Sequence, residues 1–263
     1  PDFNTYINHL CDIFDEVKRV LKDDGTCWVN IGDTYGGSGL GLSYGTKSKG
    51  KNSILKTTEY LPKVAHSRGK HSKSLLLIPF RFALEMMNRG WTIRNVIIWH
   101  KPNVTPSSAK DRFTVDFEYL FFFSKNKKYY FEQQLEPFKN STITRCKTGC
   151  RQNKGANYSG LNKENFERLQ QRILSGDIKG RNVRTVWSIP SANYKGKHFA
   201  TYNPKLIEIP IKAGCPDGGI VLDPFIGSGT TAVVAKQLNK NYIGIELNPE
   251  YVKLALERIS GAT

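Results

Sequence analysis

The sequence predicts an α/β protein with a mostly parallel, twisted sheet and helices on both faces, and three observations lead to this prediction. Residues 220–247 read as a strand, a glycine turn, a helix and a second strand, which is half of a nucleotide-binding unit. Helical and extended patterns alternate over residues 1–126. The extended segments at 91–99 and 115–124 are rich in Ile, Phe and Tyr, as is typical of strands covered on both faces.

The N-terminal half contains two predicted helices and four predicted strands. The first helix spans residues 4–21 and ends before Gly25; its apolar residues recur at helical spacing, at Ile7, Leu10, Ile13, Phe14, Val17, Val20 and Leu21. The second helix spans 75–88, with Pro79 in an early turn, where a missing N–H breaks no hydrogen bond, and Gly90 after its end. Strands are predicted at 26–31, 91–99, 115–124 and 129–132, and residues 36–74 form a long loop.

The C-terminal half supplies the nucleotide-binding unit. A short helix is predicted at 166–174, and another begins near Pro204. A strand at 220–222 ends in Asp223, a helix follows at 232–238, and a strand at 242–247 contains Glu246. Asn248 caps the last helix, whose inward-facing residues are predicted to be Val252, Ala255, Leu256 and Ile259.

The glycine turn allows us to separate three classes of ligand. A phosphate-binding P-loop requires a lysine after its second glycine, and none follows Gly229. The segment from Gly227 to Ala232 fits the dinucleotide pattern Gly-x-Gly-x-x-Gly/Ala, so an NAD-dependent oxidoreductase is an alternative. Too few residues follow Glu246 to complete a dinucleotide fold downstream, and Asp-Pro-Phe directly before the glycines indicates the third class.

Asp-Pro-Phe-Ile-Gly-Ser-Gly-Thr-Thr at 223–231 resembles the cofactor motif of S-adenosylmethionine-dependent DNA amino-methyltransferases. Residues 197–207 are similar to the family's second cofactor element, and residues 24–35, 96–103 and 117–125 to three of its strands. The order of these segments is that of the family's β group. The resemblance implies a Rossmann-like methyltransferase fold and methyl transfer to N4 of cytosine or N6 of adenine in double-stranded DNA. It also implies a place in a restriction-modification system, with a cognate restriction endonuclease as a possible partner.

The resemblance also implies which residues bind the cofactor. Glu246 is expected to bind the ribose hydroxyls. The methionine moiety is expected to be surrounded by Asp223, Pro224, Phe225, Gly227, Ser228, Gly229, Thr230 and Thr231, and closed on its other side by His198, Phe199 and Ala200. Asp33, at a strand end, is a further candidate for the cofactor cleft, with a structural role in a turn as the alternative.

The family's catalytic tetrapeptide, Asp/Asn/Ser-Pro-Pro-aromatic, has no counterpart here, because the sequence contains no Pro-Pro dipeptide. In related sequences it precedes the helix predicted at 4–21. We therefore expect an N-terminal piece carrying it before Pro1, and we assign no catalytic residue within this chain. A catalytically inactive homologue that still binds nucleic acid is the alternative, and the full-length gene sequence distinguishes the two.

The charge distribution indicates a polyanionic partner. The net charge is +16, and two segments concentrate it: residues 44–74 carry eight Lys or Arg against Glu59, and 139–184 carry eleven against three acidic residues. Lys101, Lys110 and Arg112, after a predicted strand, are expected to contact DNA, although charge alone does not distinguish DNA from RNA. We expect residues 1–126 to form the catalytic half, 127–196 the target-recognition region and 197–263 the cofactor half.

The cysteines and the apolar segments argue against several other classes. Five scattered cysteines do not suggest a disulfide framework, and the pair at 146 and 150 has no second pair nearby for zinc. Cytosine-C5 chemistry requires Pro-Cys, whereas Cys215 precedes Pro216. No apolar run is long enough to cross a membrane. A cytoplasmic protein is therefore expected, and its state as a monomer or dimer stays open.

Overall fold

The computed structural model describes residues 3–36, 71–148, 163–192 and 202–262. Within these ranges the helices are α1 (Phe3–Val20), α2 (Ile78–Asn88), α3 (Asn140–Thr148), α4 (Lys163–Leu174), α5 (Pro204–Gly214), α6 (Thr230–Gln237) and α7 (Pro249–Ser260). The strands are β1 (Thr26–Ile31), β2 (Thr92–His100), β3 (Phe117–Ser124), β4 (Leu135–Glu136), β5 (Arg181–Asn182), β6 (Val186–Ser188), β7 (Ile220–Asp223) and β8 (Asn241–Gly244). None of these helices is long and apolar enough to cross a membrane.

The strands form one larger sheet and two strand pairs. The larger sheet has the order β1-β3-β2-β6, with β3 antiparallel to both β1 and β2 and β6 parallel to β2. β7 and β8 pair in parallel, and β4 pairs with β5 in an antiparallel ribbon. The α/β class is confirmed, but the described sheet is mixed rather than mostly parallel. Alternating apolar patterns identify strands without giving their direction, and here β2 returns directly as β3 through the loop at 101–116.

Helices cover both faces of the larger sheet, as predicted. On one face, α1 and α2 pack on alternate residues of β1 and β3 in a core that includes Phe14, Phe82, Phe121 and Phe123. On the other face, Leu206 of α5 packs with Ile97, Trp99, Leu120 and Trp187. The alternation along β1 and β3 follows from the two-residue period of a strand. The sheet therefore has two apolar cores, and α5 links the second core to the β7–β8 pair.

Two predicted elements differ from the structure, one because of hydrogen bonds to distant segments and one because of a backbone conformation. Residues 129–132 are not a strand: the N–H of Tyr130 donates to the carbonyl of Asp24, and that of Glu132 to the carbonyl of Ala213, at 2.8 Å each. The ribbon strand begins later, at Leu135. Helix α2 begins three residues later than predicted, because Leu77 has a φ of 56° and cannot continue a right-handed helix.

The C-terminal unit also differs in detail. Strand β8 ends at Gly244, so Glu246 lies just beyond the strand rather than inside it. Asn248 caps α7 as predicted, its side chain accepting from the N–H of Glu250 at 3.0 Å. Of the residues expected to face inward, Ala255 is 5% exposed, whereas Leu256 is 63% exposed. The buried face of α7 is therefore narrower than predicted, because α6 covers only the part of α7 around Ala255.

Candidate functional site

The candidate site lies at the carboxyl ends of β7 and β8. β7 ends at Asp223, and the chain turns through residues 224–229 into α6. Beyond β8, the N–H of Ile245 donates to the carbonyl of Asp223 at 3.0 Å, and the N–H of Ile226 to the carbonyl of Ile245 at 3.1 Å. These bonds extend the pairing into the turn and bring Glu246 beside it. The carboxyl edge of parallel strands is the place where α/β folds bind ligands.

The carboxylate of Glu246 is fixed by two backbone donors. Its Oε2 accepts from the N–H of Gly227 at 3.0 Å, and its Oε1 accepts from the N–H of Asn248 at 2.8 Å. Each carboxylate oxygen can accept a further hydrogen bond, because it has two lone pairs. Glu246 is thus a half-buried, oriented acceptor that can still receive two hydroxyl groups.

Asp223 organises the opposite side of the turn. Its Oδ1 accepts from the N–H of Phe225 at 2.9 Å, and its Oδ2 accepts from the hydroxyls of Thr231 and, at 3.4 Å, Tyr202. Burial, followed by the nearby Asp223 carboxylate, raises the pKa of Tyr202 well above its ordinary value. The Tyr202 hydroxyl therefore keeps its proton to a higher pH than an ordinary tyrosine and can donate a hydrogen bond within this cluster.

Two glycines allow the turn to take its shape. Gly227 and Gly229 have φ values of 50° and 81°, a region that favours glycine. A Cβ on Gly229 would also lie 2.9 Å from the Cβ of Ala255 in α7. Gly229 is therefore required both by its backbone conformation and by the close approach of α7.

Arg258 braces the turn from α7. Its Nη1 donates to the carbonyl and the hydroxyl of Ser228 at 2.6 Å each, and to the hydroxyl of Thr230 at 3.2 Å. The side chains of Ser228, Thr230 and Thr231 are buried within the turn. The hydroxyls of these three residues hold the turn together through Arg258 and Asp223, and their predicted contact with the methionine moiety stays a prediction.

Exposed apolar groups flank the two carboxylates. Phe225 follows Pro224 in the turn and is 53% exposed, with its ring 6.4 Å from that of Phe14. Leu247, next to Glu246, is 95% exposed. Apolar side chains beside oriented acceptors match a ligand that is part planar ring and part polyol. These acceptors and apolar side chains therefore fit a nucleoside-containing cofactor.

A second candidate site is a cavity of about 460 Å³ beyond the end of β1. It lies between the residues after β1 and the loop at 101–116, and its lining includes Asp33, Tyr35 and Glu118. The Oδ1 of Asp33 accepts from the N–H of Thr34 at 2.8 Å and of Ile78 at 3.1 Å. Asp33 therefore holds the turn after β1 and caps the start of α2, while its place in the cofactor cleft stays a prediction.

The three cations predicted to contact DNA have different surroundings. Lys101 forms an ion pair with Glu118, lies 4.3 Å over the Trp99 ring and is 17% exposed, so much of its charge is satisfied internally. Arg112 lies with its guanidinium 3.7 Å from the centre of the Tyr35 ring and remains exposed. Lys110 is also exposed. The structure thus places Lys110 and Arg112 at the surface and Lys101 inside the wall of the cavity.

The remaining predicted residues, His198, Phe199 and Ala200, lie outside the described residues. Two residues with clear positions in the site were not predicted. Tyr202 lies inside the second cofactor element, and its place directly before the Asn203 cap is the signal that could have identified it. Arg258 carries no sequence signal beyond its place in the last turn of α7, because its role depends on how α7 packs. No cluster of metal-binding side chains occurs in the described part of the chain.

Comparison with known proteins adds sequence and fold relationships. The profile of a family described as DNA methylase matches residues 1–257. The type II methyltransferase M.SmaI of Serratia marcescens is 38% identical over 259 residues, covering 98% of this chain and 75% of that protein. M.Cfr9I of Citrobacter freundii, also a type II methyltransferase, is 37% identical over 256 residues, covering 97% and 72%.

Solved structures share the fold at lower identity. The cytosine-N4-specific PvuII DNA methyltransferase has a TM-score of 0.62 and 18% identity, covering 97% of this chain and 71% of that chain. A Thermus thermophilus protein solved in complex with S-adenosyl-L-methionine has a TM-score of 0.56 and 21% identity, covering 98% and 78%. The predicted α/β architecture is confirmed by these two neighbours.

Proposed function

The chain belongs to the DNA methylase family of N4 and N6 amino-methyltransferases, and from this premise we propose that it binds S-adenosylmethionine at the turn between β7 and α6. Its complete protein transfers the methyl group to N4 of cytosine or N6 of adenine in double-stranded DNA. The observation that carries the proposal is the oriented carboxylate of Glu246 beside the glycine turn. The family membership leaves the NAD-dependent alternative without support.

The described residues suit the separate parts of this cofactor. Glu246 accepts the ribose hydroxyls with its two remaining lone-pair positions, while Gly227 and Asn248 hold the carboxylate in place. Phe225 and Leu247 supply apolar surface. Asp223 offers negative charge near the methionine portion, and Tyr202, protonated at neutral pH, fixes the orientation of that carboxylate. When bound, the cofactor supplies a methyl group activated by a sulfonium.

The 460 Å³ cavity is the proposed place for the target base outside the duplex. It lies beyond the carboxyl end of β1, and polar groups of Asp33, Lys101 and Glu118 line it beside the rings of Tyr35 and Tyr119. A base offers a flat apolar face and a polar edge, so such a lining can hold it. Exocyclic amino groups are weak nucleophiles, and positioning the base is therefore the main contribution expected from these residues.

A methyl-transfer assay tests the proposal directly. The full-length protein is incubated with labelled S-adenosylmethionine and with DNA from a strain that lacks the gene, and the DNA is digested to nucleosides. The expected product is N4-methylcytosine or N6-methyladenine, and their chromatographic separation identifies the base. Label in neither nucleoside would refute the proposed function. Calorimetric titration with S-adenosylmethionine and with NAD tests cofactor choice independently.

The target-recognition region is the finer part of the proposal, assigned to residues 127–196. Its described part contains α3, α4 and the β4–β5 ribbon. Arg181 of β5 and Arg184, two residues after β5, both pair with Glu136 of β4, at 2.8 and 3.0 Å. These arginines stiffen the ribbon. Among the described residues of this region, the exposed Arg145 and Lys147 of α3 and Arg172 of α4 are the proposed DNA contacts. Replacing residues 139–184 with the same segment of a relative of different specificity should change the DNA sequence that is modified. If the hybrid is active and still modifies the original DNA sequence, this region contacts phosphates only.

Partner and location follow from the same proposal. A modification enzyme of a restriction-modification system protects DNA from a cognate endonuclease, so host DNA should become resistant to that endonuclease when the gene is expressed. The described cysteines, Cys11, Cys27, Cys146 and Cys215, are free thiols. Free thiols suit a reducing compartment, and we therefore propose a cytoplasmic location.

A further inference from the structure

One aromatic side chain at the mouth of the 460 Å³ cavity is almost fully exposed. Phe113 is 95% exposed and contributes to the lining of this cavity. Burial of such a ring against a partner removes a large apolar area from water, and this ring lies beside a cavity where a partner can reach it. By comparison, Phe131 is 47% exposed and its ring lies 5.6 Å from that of Phe122, within an aromatic cluster of the protein itself.

The residues on either side of Phe113 are held in place. Asp111 forms a salt bridge of 2.8 Å with Lys73, and the guanidinium of Arg112 lies 3.7 Å from the centre of the Tyr35 ring. On the other side, the hydroxyl of Thr114 accepts from the N–H of Ser107 at 3.3 Å. The backbone of this loop is thereby tied to two other segments, while the ring of Phe113 projects outward.

The charge around Phe113 selects the kind of partner. Lys110 and Arg112 lie three residues and one residue before Phe113 and are exposed, and the chain carries a net charge of +16. A second copy of the chain would bring the same positive charge to this surface and would be repelled. Double-stranded DNA offers phosphates for the two cations and flat base faces for the ring. Stacking on bases is the usual role of an exposed aromatic group in a positively charged groove.

We propose that Phe113 inserts into the DNA duplex and stacks on the bases next to the target, filling the space that the target base leaves. This inference rests on the proposed function, because it requires a base to leave the duplex toward the adjacent cavity. Apolar side chains that enter a base step separate the stacked bases. The ring thus stabilises the opened duplex, while Lys110 and Arg112 hold the neighbouring phosphates.

The test uses the full-length protein and a duplex containing the sequence found modified in host DNA, with 2-aminopurine at the target position. Wild-type protein should bind this duplex and increase the 2-aminopurine fluorescence as the base unstacks. Phe113→Ala should bind about 5- to 100-fold more weakly, the range expected when one base is no longer stacked on a ring, and produce a smaller fluorescence increase. Phe113→Trp should restore both. Leu84→Ala, which truncates an apolar side chain on α2 that is 62% exposed and does not line the cavity, should behave as wild type.

A second duplex separates insertion from simple contact. When the target lies opposite an abasic site, extrusion is easier, so the difference between wild type and Phe113→Ala should shrink. An equal defect on both duplexes, or normal binding and fluorescence by Phe113→Ala, would overturn the inference. So would a Phe113→Ala protein whose only change is a different oligomeric state or melting temperature. Failure of the wild-type protein to methylate any DNA would instead refute the proposed function.

Discussion

Replacing Glu246 gives the most direct test of the cofactor site. Its carboxylate accepts from Gly227 and Asn248 and is proposed to accept the ribose hydroxyls as well. Glu246→Ala removes the acceptor and leaves these partners unpaired. Removing one partner of a buried hydrogen bond costs ~1–3 kcal/mol, which corresponds to a several-fold to about hundredfold weaker affinity for S-adenosylmethionine.

A second substitution shows whether the carboxylate itself is required. Glu246→Gln keeps the length of the side chain but replaces one acceptor oxygen with a donor NH₂ group. Both fixed neighbours, the N–H groups of Gly227 and Asn248, are donors, so the amide cannot satisfy both. We therefore expect Glu246→Gln to lose most of the affinity that Glu246→Ala loses.

Calorimetric titration of each variant with S-adenosylmethionine measures the affinity, and thermal unfolding without cofactor checks the fold. Glu250→Ala is the matched control, because Glu250 is an exposed glutamate four residues further on that pairs with Lys253 at 3.3 Å. It should bind the cofactor as wild type does. The expected decrease in the binding free energy of Glu246→Ala is ~1–3 kcal/mol. If its affinity for S-adenosylmethionine instead stays within about twofold of that of the control, Glu246 does not hold the ribose.

Three further predictions concern other parts of the chain. The unfolding free energy should fall as pH rises above 10.0, the ordinary pKa of tyrosine, because the unfolded chain releases a proton that Tyr202 keeps in the folded state. Urea titrations at several pH values measure this decrease. In Tyr202→Phe the unfolding free energy should fall less steeply with pH, by up to ~1.4 kcal/mol per pH unit, and an unchanged pH dependence would contradict the burial of this hydroxyl. Gly229→Ala should destabilise the protein by ~1–3 kcal/mol in chemical unfolding. Adding Ala255→Gly should recover only part of that stability, because the positive φ at position 229 remains strained. Full recovery would show that the clash with Ala255 is the whole cause. Lys110→Ala combined with Arg112→Ala should weaken DNA binding and reduce its salt-dependence slope by up to about 2, with cofactor affinity unchanged; equal binding at every salt concentration would place the DNA elsewhere.

The sequence by itself determined the α/β class, most strand positions and the place of the glycine turn. These features depend on short sequence patterns, which predict them without knowledge of the tertiary contacts. A few neighbouring residues are enough to predict the glycine turn with its positive φ values, the strand that ends in Asp223 and the Asn248 cap followed by proline. The family resemblance rested on the same short segments, and the match over residues 1–257 confirmed it.

Tertiary structure alone decided which partners the polar side chains have. Asp33 caps α2, Lys101 pairs with Glu118 and Arg258 braces the glycine turn, and each of these interactions joins segments far apart in sequence. The direction of β3 was likewise decided by pairing rather than by pattern. A residue type and its spacing specify what a side chain can do, but its actual partner depends on the packing of distant elements, because hydrogen bonds and ion pairs act only over a few ångströms.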